Sequence, residues 1–146
     1  MGLDMHACVT SEQPDSPVDF TVNEQTELHY WRKHPNLHGW MEQLYRDKGG
    51  KRECFNCTKV QLDEDDLERL ERAIRENGLP HTEGFFFGAS DGSETADDLA
   101  FIRKARQAIA AGGTVYYDSW WWTPHMIKGG AAARSLSYYQ PLQILP

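Results

Sequence analysis

Apolar and polar residues alternate in several stretches of the chain, and this alternation indicates β-strands. The first alternation runs from Leu3 to Val9 and the last from Thr114 to Trp122. A period of two residues places successive side chains on opposite faces of a strand, so we predict a half-buried strand at each position. A less regular alternation predicts a strand from Glu53 to Leu62. The apolar run Gly84–Gly88 predicts a short buried strand or a closely packed connection.

A helical period appears in three stretches that end at glycine or at Asn-Gly. The clearest helix follows Pro35 and ends at Gly49-Gly50, with an apolar stripe at positions 37, 40, 41, 44 and 45. Spacings of three and four residues place these side chains on one face of a helix. His38 lies off this stripe, so we expect its ring at the helix flank or in solvent. Two further helices are predicted from Asp63 to Glu76 and from Thr95 to Ala111.

A fourth helix is predicted before Pro35. Asn23 can cap a helix from Glu24 to Lys33, and Pro35 disfavours the helical conformation at the residue before it. We therefore expect the helix to stop or kink at His34, among the histidines.

The order of these elements predicts an α+β fold. Strands and helices alternate in a short chain, and the strands have two different faces. This pattern favours a small mixed or antiparallel sheet of about four strands, covered on one side by three to four helices. Residues 1–122 should form a single α+β domain, and residues 123–146 an extended or partly disordered tail that clasps the body or a neighbouring subunit.

Composition narrows the classes of function. The 146-residue chain is 40% hydrophobic and has a formal net charge of −7, which argues against non-specific binding to nucleic acid. It contains no apolar run of about 18 residues, so we predict no membrane span. The start lacks the basic and apolar regions of a signal peptide, and three cysteines lack a disulfide framework spacing. We therefore expect a cytoplasmic protein with reduced thiols.

Five segments together resemble a family of small proteins from bacteriophages and proteobacterial genomes that begin Met-Gly-Leu-Asp-Met. The segments are Met1–Met5, His29–Met41, Phe55–Cys57, Gly84–Gly88 with Ser90–Ser93, and Ser119–Trp121. The resemblance covers residues 1 to about 121 and implies a phage-type accessory protein in the host cytoplasm. The family has no established activity and supplies no catalytic residues. Similar sequences sometimes carry a phosphoglycerate kinase label, but this chain is too short for that enzyme and lacks a phosphate-binding glycine motif.

The segment from Glu27 to Met41 has the highest density of side chains able to bind a ligand. It contains three histidines, two tryptophans, an arginine and a lysine. Three consecutive tryptophans at 120–122 cannot all face inward on a strand, so we expect at least one at the surface, under the tail or at an interface. The candidate ligand-binding residues are His29, Trp31, Arg32, His34, Asn36, His38 and Trp120.

A zinc site is an alternative to the predicted absence of a cofactor. His34, His38, Cys54 and Cys57 form a His-x3-His and Cys-x2-Cys set, which zinc would accept. Against it, a three-residue spacing on a strand directs the two thiols to opposite faces, and packed thiols with surface imidazoles are the simpler interpretation. A nucleophilic Cys57 paired with His34 or His38 and an anion site at Ser90–Ser93 are weaker alternatives.

Two functions from different classes remain. The first is a non-enzymatic binding protein that contacts a protein or small-ligand partner through the His/Trp/Arg-rich segment, and that forms a homodimer if its tryptophan face self-associates. The second is a small hydrolase or transferase, with or without zinc, that uses the same segment. An enzyme should bring the polar groups together in a concave pocket, with Asp118 or Glu42 orienting a histidine. A binding protein should instead have a flat apolar patch, with the histidines splayed.

Overall fold

Four strands and three helices account for the regular structure of the described residues. The structure is a computed structural model and describes residues 3–32, 34–82 and 93–121. The predicted strand at Gly84–Gly88, Trp122 and the tail at 123–146 lie outside these ranges. The elements are β1 (Leu3–Thr10), β2 (Thr26–Arg32), α1 (Pro35–Asp47), β3 (Val60–Leu62), α2 (Glu64–Arg75), α3 (Thr95–Ala110) and β4 (Thr114–Trp121).

The strands form one sheet in the order β2-β1-β4-β3, and all three pairings are antiparallel. The predicted α+β class is therefore confirmed, with the antiparallel form of the sheet. The long central pair, β1 with β4, joins two distant parts of the chain in continuous register from Leu3 opposite Trp121 to Thr10 opposite Thr114. None of the helices in the described part of the chain is long and apolar enough to cross a membrane.

One face of the sheet carries the hydrophobic core. Leu3, Met5 and Ala7 of β1 are fully buried there beside Tyr117 and Trp121 of β4, and side chains of all three helices join the same cluster. We call this the inner face. Alternation along the strands therefore gives the inner face its apolar side chains, as the period of two residues predicts.

The opposite face, here called the outer face, is only partly covered. Cys8, Phe20 and Tyr116 form a small buried cluster at one end of it, with the Phe20 and Tyr116 rings in edge contact at 5.4 Å. Toward the other end the outer face is open, and Tyr30 and Trp120 are the two exposed large aromatic side chains of the described residues. The inner face of the sheet is thus buried, and the outer face is partly exposed to solvent.

The predicted helix from Glu24 to Lys33 is wrong, because the structure has strand β2 there. His29 and Trp31 are buried on the inner face, whereas Tyr30 and Arg32 are exposed. Aromatic side chains fit a half-buried strand better than a helix, and pairing with β1 supplies the backbone hydrogen bonds. The proline therefore separates a strand from a helix, and no helix kink occurs at this position.

The predicted strand from Glu53 to Leu62 is confirmed only for its last three residues, which form β3. Before β3, the side chain of Asn56 makes the hydrogen bonds to the end of β4 that a neighbouring strand would otherwise make. Its Oδ1 accepts a hydrogen bond from the Trp121 backbone amide at 3.1 Å, and its Nδ2 donates to the Trp121 carbonyl at 3.1 Å. The end of β4 is therefore capped by an amide side chain, and residues 53–59 are free to follow an irregular path.

The three helices after residue 34 lie close to their predicted bounds. Pro35 occupies the first turn of α1, where its missing amide hydrogen costs little. Asp63 and Asp66 form a reciprocal capping box at the start of α2, with hydrogen bonds of 2.8 and 2.9 Å. The sequence predicted both helix starts, at Pro35 and at Asp63, because a helix start depends on neighbouring residues only.

Candidate functional site

The three histidines of the predicted site point into the body of the protein at three separate places. His29 faces α3, where its Nε2 lies 2.9 Å from Asp97 Oδ2 and its Nδ1 lies 3.1 Å from Lys104 Nζ. The same ammonium group donates to the Leu28 carbonyl oxygen at 3.2 Å. These contacts fasten β2 to α3 and leave the His29 ring 8% exposed.

His34 belongs to a buried polar cluster around Asp98. The Asp98 carboxylate accepts a hydrogen bond from Trp31 Nε1 at 2.9 Å, and its second oxygen lies 2.8 Å from His34 Nε2. Asp98 and His34 are only 2% and 3% exposed. The Glu94 carboxylate lies 3.8 Å from the other ring nitrogen of His34. A cavity of about 60 Å³ beside this cluster is lined also by Asn36, Asn77 and Thr95.

His38 is buried in the aromatic core, so its predicted position at the helix flank or in solvent is wrong. Its Nδ1 lies 2.7 Å from the Tyr117 hydroxyl, and its ring packs on Phe55 at 4.9 Å and on Trp121 at 5.2 Å. Burial lowers the pKa of His38 to about 3. The apolar stripe of α1 therefore includes one neutral imidazole.

Of the remaining candidates, Asn36 lies at the cavity beside His34, whereas Arg32 and Trp120 lie on the other face of the sheet. Asn36 Oδ1 accepts a hydrogen bond from the Thr82 amide at 2.8 Å, a contact that holds the chain beyond α2. Arg32 is exposed on the outer face, 3.9 Å from the Asp4 carboxylate. The structure therefore brings Trp31, His34 and Asn36 to the region of Asp98, and it distributes the other predicted site residues over both faces of the sheet.

The two cysteines of the zinc alternative lie in the irregular segment before β3. Burial raises the pKa of Cys54 to about 12 and raises that of Cys57 further, so both thiols stay protonated at neutral pH. Among the described residues, no three side chains of the His, Cys, Asp and Glu types are placed to hold a metal ion. His34, His38, Cys54 and Cys57 thus form no assembled ligand set there, and Cys57 is a poor nucleophile.

A concave site does exist on the outer face, beside Trp120. It is a cleft of about 370 Å³ between β1, β4 and the loops that precede β2 and β3. The Trp120 side chain is 39% exposed at this cleft. We call it the Trp120 cleft and define it by its lining residues: His6, Asp19, Phe20, Thr21, Arg52, Cys57, Thr58, Lys59, Asp118, Ser119 and Trp120.

Two pairs of opposite charges line the Trp120 cleft. Lys59 Nζ lies 3.2 Å from Asp118 Oδ2, and Arg52 Nε lies 3.2 Å from Asp19 Oδ1. All four side chains keep between 24% and 31% of their surface exposed. The cleft is therefore locally balanced in charge, although the whole chain carries a net charge of −7.

Two lining residues of the Trp120 cleft, Cys57 and Thr58, have unusual features: a strained backbone and a buried hydroxyl group. Cys57 has a positive φ of 60°, a conformation that costs energy for a residue with a side chain, and its amide donates to the Ser119 carbonyl at 2.8 Å. Next to it, Thr58 is 2% exposed, and its Oγ1 has no hydrogen-bond partner in residues 3–32, 34–82 and 93–121. Cys57 belongs to the Cys-x2-Cys pair of the zinc alternative, and Thr58 directly follows it.

The sequence interpretation included Trp120 and missed most of the other residues of this cleft. His6 and Asp118 are directly opposite each other on β1 and β4. Their signal was present as polar residues at alternate positions in both predicted strands. It became informative only with the strand pairing, because residues 112 positions apart share a face only if β1 and β4 are neighbours.

A larger groove lies elsewhere and carries less chemistry. It has a volume of about 750 Å³ and lies between the end of α3 and the turn that joins β1 to β2. Its lining is mostly small or uncharged, and Glu24 is the one ionisable residue in it: Val9, Thr10, Ser11, Asn23, Glu24, Gln25, Thr26, Ala108, Ala111, Gly112 and Gly113. Size alone therefore does not identify a site here.

Known proteins give no information about this site. No family model, no curated protein and no solved structure matches this chain. The resemblance to small bacteriophage and proteobacterial proteins therefore stays a prediction.

Proposed function

We propose that this protein is a non-enzymatic binding protein that holds a small zwitterionic ligand in the Trp120 cleft. The single observation that carries the proposal is the presence, in one concave site, of an exposed indole and two partly exposed pairs of opposite charges. A cleft of this volume with a few convergent polar groups is typical of small-molecule sites.

The charged pairs can exchange their partners for a ligand at small cost. Each pair has a contact of 3.2 Å and is partly exposed, and such ion pairs contribute at most about 1 kcal/mol to stability. A ligand carboxylate can take the place of Asp118 at Lys59, and a ligand ammonium group can bind the released carboxylate. A zwitterion satisfies both changes, whereas a singly charged ligand leaves one protein charge without its partner.

Trp120 supplies the apolar part of the site. Its exposed indole offers a flat surface for a ring or an aliphatic chain, and aromatic contacts of this kind contribute most of the binding energy in many sites. The splayed arrangement of His29, His34 and His38 supports binding over catalysis, because these rings are held by partners inside the body.

We expect Trp120→Ala to weaken ligand binding about tenfold or more, because the indole surface is lost while the charged pairs remain. The probes are L-phenylalanine, which is zwitterionic, and two singly charged analogues, phenethylamine and phenylpropionate. Binding is followed by the NMR signal of the Trp120 indole N–H, which is assigned from its absence in Trp120→Phe. Binding of Trp120→Ala is followed by backbone amide signals of the cleft.

The matched control is Tyr30→Ala, because Tyr30 is also an exposed aromatic residue on the outer face but does not line the cleft. We expect it to bind L-phenylalanine like the unaltered protein. The proposal fails if none of the three probes binds, if the analogues bind as well as L-phenylalanine, or if Trp120→Ala retains full affinity.

The cellular setting is proposed from the composition and the predicted resemblance. Three free cysteines, Cys8, Cys54 and Cys57, fit a reducing compartment such as the host cytoplasm of a phage. The net charge of −7 supports a ligand other than non-specific nucleic acid. In this setting the protein acts as a small accessory protein whose ligand or partner is sensed at the Trp120 cleft.

A second candidate function, a small hydrolase or transferase, is supported by the buried pair of His34 and Asp98. An imidazole held at 2.8 Å by a buried carboxylate has the arrangement of a general base, and a small cavity adjoins it. The test is hydrolysis of p-nitrophenyl acetate and p-nitrophenyl phosphate by the protein and by His34→Gln. Turnover that His34→Gln abolishes without unfolding the protein would favour catalysis; its absence at high protein concentration argues for binding alone.

A further inference from the structure

The two edges of the sheet differ in how well they are covered. At the β3 edge, the segment around Val18 runs antiparallel to β3 and forms a β-bridge with Val60. It is joined by hydrogen bonds from the Asp19 amide to the Lys59 carbonyl at 3.0 Å and from the Gln61 amide to the Pro17 carbonyl at 2.9 Å. This edge is therefore closed to another strand.

β2 forms the other edge of the sheet. On the side of β2 that points away from β1, the described ranges contain no neighbouring strand. From outside the sheet, Lys104 Nζ of α3 donates to the Leu28 backbone carbonyl at 3.2 Å. In an antiparallel pair every second residue of an edge strand directs its amide and carbonyl outward, so β2 offers a row of such groups. Natural monomers usually shield such an edge with proline, lysines or a covering segment.

The side chains of β2 make this edge complementary to itself. Glu27 lies near its first end and Arg32 at its last, and both side chains are about half exposed. Between them lies Tyr30, which is 44% exposed on the outer face. Antiparallel pairing of two identical strands brings the first end of one against the last end of the other, so Glu27 of one copy approaches Arg32 of the second copy.

We infer that β2 pairs with β2 of a second copy of this chain about a two-fold axis, which joins two four-stranded sheets into one sheet of eight strands. A two-fold axis makes the interface isologous, so the contact between Glu27 and Arg32 occurs twice. A parallel arrangement would instead place like charges together. The pairing satisfies the outward backbone groups of β2 in both copies and brings the two Tyr30 rings close to the axis.

The test exchanges the charges at the two ends of β2. Glu27→Arg and Arg32→Glu each place like charges opposite each other twice, and we expect each to weaken dimerisation about tenfold or more. The double variant restores opposite charges, so its dimerisation should return to within about threefold of the unaltered protein. Sedimentation velocity over a concentration series measures the dimer dissociation constant.

The matched control is the exposed pair of Glu68 and Arg72 on α2, which is exchanged in the same way. Its variants should dimerise like the unaltered protein. Thermal unfolding checks that every variant is folded, since Glu27 and Arg32 also contact His6 and Asp4 within the chain. A protein that stays monomeric at millimolar concentration, or single variants that dimerise without loss, overturns the inference.

Hydrogen exchange tests the same interface without substitutions. The amides of residues 26–32 should gain protection as the protein concentration rises through the dissociation constant, because pairing covers the outward amides of β2. The amides of α2, which lies away from this edge, should exchange at a rate independent of concentration. Equal behaviour of the two segments contradicts pairing through β2.

Discussion

Replacing Asp98 by alanine is expected to lower the free energy of unfolding by about 3 to 5 kcal/mol, because the change breaks a buried charged hydrogen-bond cluster. Asp98 accepts hydrogen bonds of 2.9 Å from Trp31 Nε1 and of 2.8 Å from His34 Nε2, and it is 2% exposed. Alanine leaves both nitrogen groups buried without their acceptor. Urea unfolding at pH 7 measures the loss.

Two variants separate this effect from a general loss of a carboxylate on α3. Asp97→Ala removes the neighbouring carboxylate, which is 55% exposed and contacts the buried His29, and should cost less than Asp98→Ala, about 1 to 2 kcal/mol. Asp98→Asn keeps one acceptor oxygen and should fall between the two alanine variants. A cost below about 1 kcal/mol for Asp98→Ala would mean that the cluster does not hold β2 and α1 against α3.

The helices and the central strands were predictable because their signals are local. Apolar stripes at helical spacing predicted α1 and α2 from neighbouring residues, and the proline in the first turn marked the start of α1. Alternation of apolar and polar residues did the same for β1 and β4. Their pairing was not predictable, since it depends on the packing of residues more than 100 positions apart.

The failure at β2 has a physical cause. Residues 26–32 contain no glycine or proline, and a single capping residue before them was enough to suggest a helix. The edge of β1 supplies hydrogen bonds for a strand, and the inner face supplies partners for the indole of Trp31 and the ring of His29. Tertiary contacts therefore decided the conformation over a weak local preference.

The same cause dispersed the predicted site. A kinked helix would have kept the histidines close together on one element. In the structure, a strand followed by a helix places His29 beside Asp97 and His34 beside Asp98, and it buries His38 in the core. Trp120, which the sequence also proposed, remained at the surface because its position on β4 alternates with the buried Ser119 and Trp121. The candidate site is therefore the Trp120 cleft beside the paired strands β1 and β4, and not the predicted segment from Glu27 to Met41.

Lowering the pH from about 6.5 toward 3 is expected to destabilise the protein through His38 by about 1.4 kcal/mol for each pH unit. Burial holds the pKa of His38 at about 3 in the folded chain, whereas the unfolded chain has the ordinary value of 6.5. Between these values the unfolded chain binds a proton that the folded chain does not, so acid favours unfolding. Above pH 6.5 neither state is charged at His38, and the effect vanishes.

The decisive comparison is between Tyr117→Phe and the double variant His38→Phe with Tyr117→Phe. Tyr117→Phe removes the hydroxyl that lies 2.7 Å from the His38 ring but leaves the imidazole buried, so the acid sensitivity should persist. The double variant has no imidazole, and the hydroxyl that the ring contacted is also gone, so no buried polar atom of that pair is left unpaired. All other titratable groups are common to both proteins and cancel in the difference. Urea unfolding at pH 6.5 and pH 4.5 should therefore show a loss of stability in Tyr117→Phe larger than that of the double variant by about 2 to 3 kcal/mol, and equal losses would place a charged, solvated His38 in the folded protein.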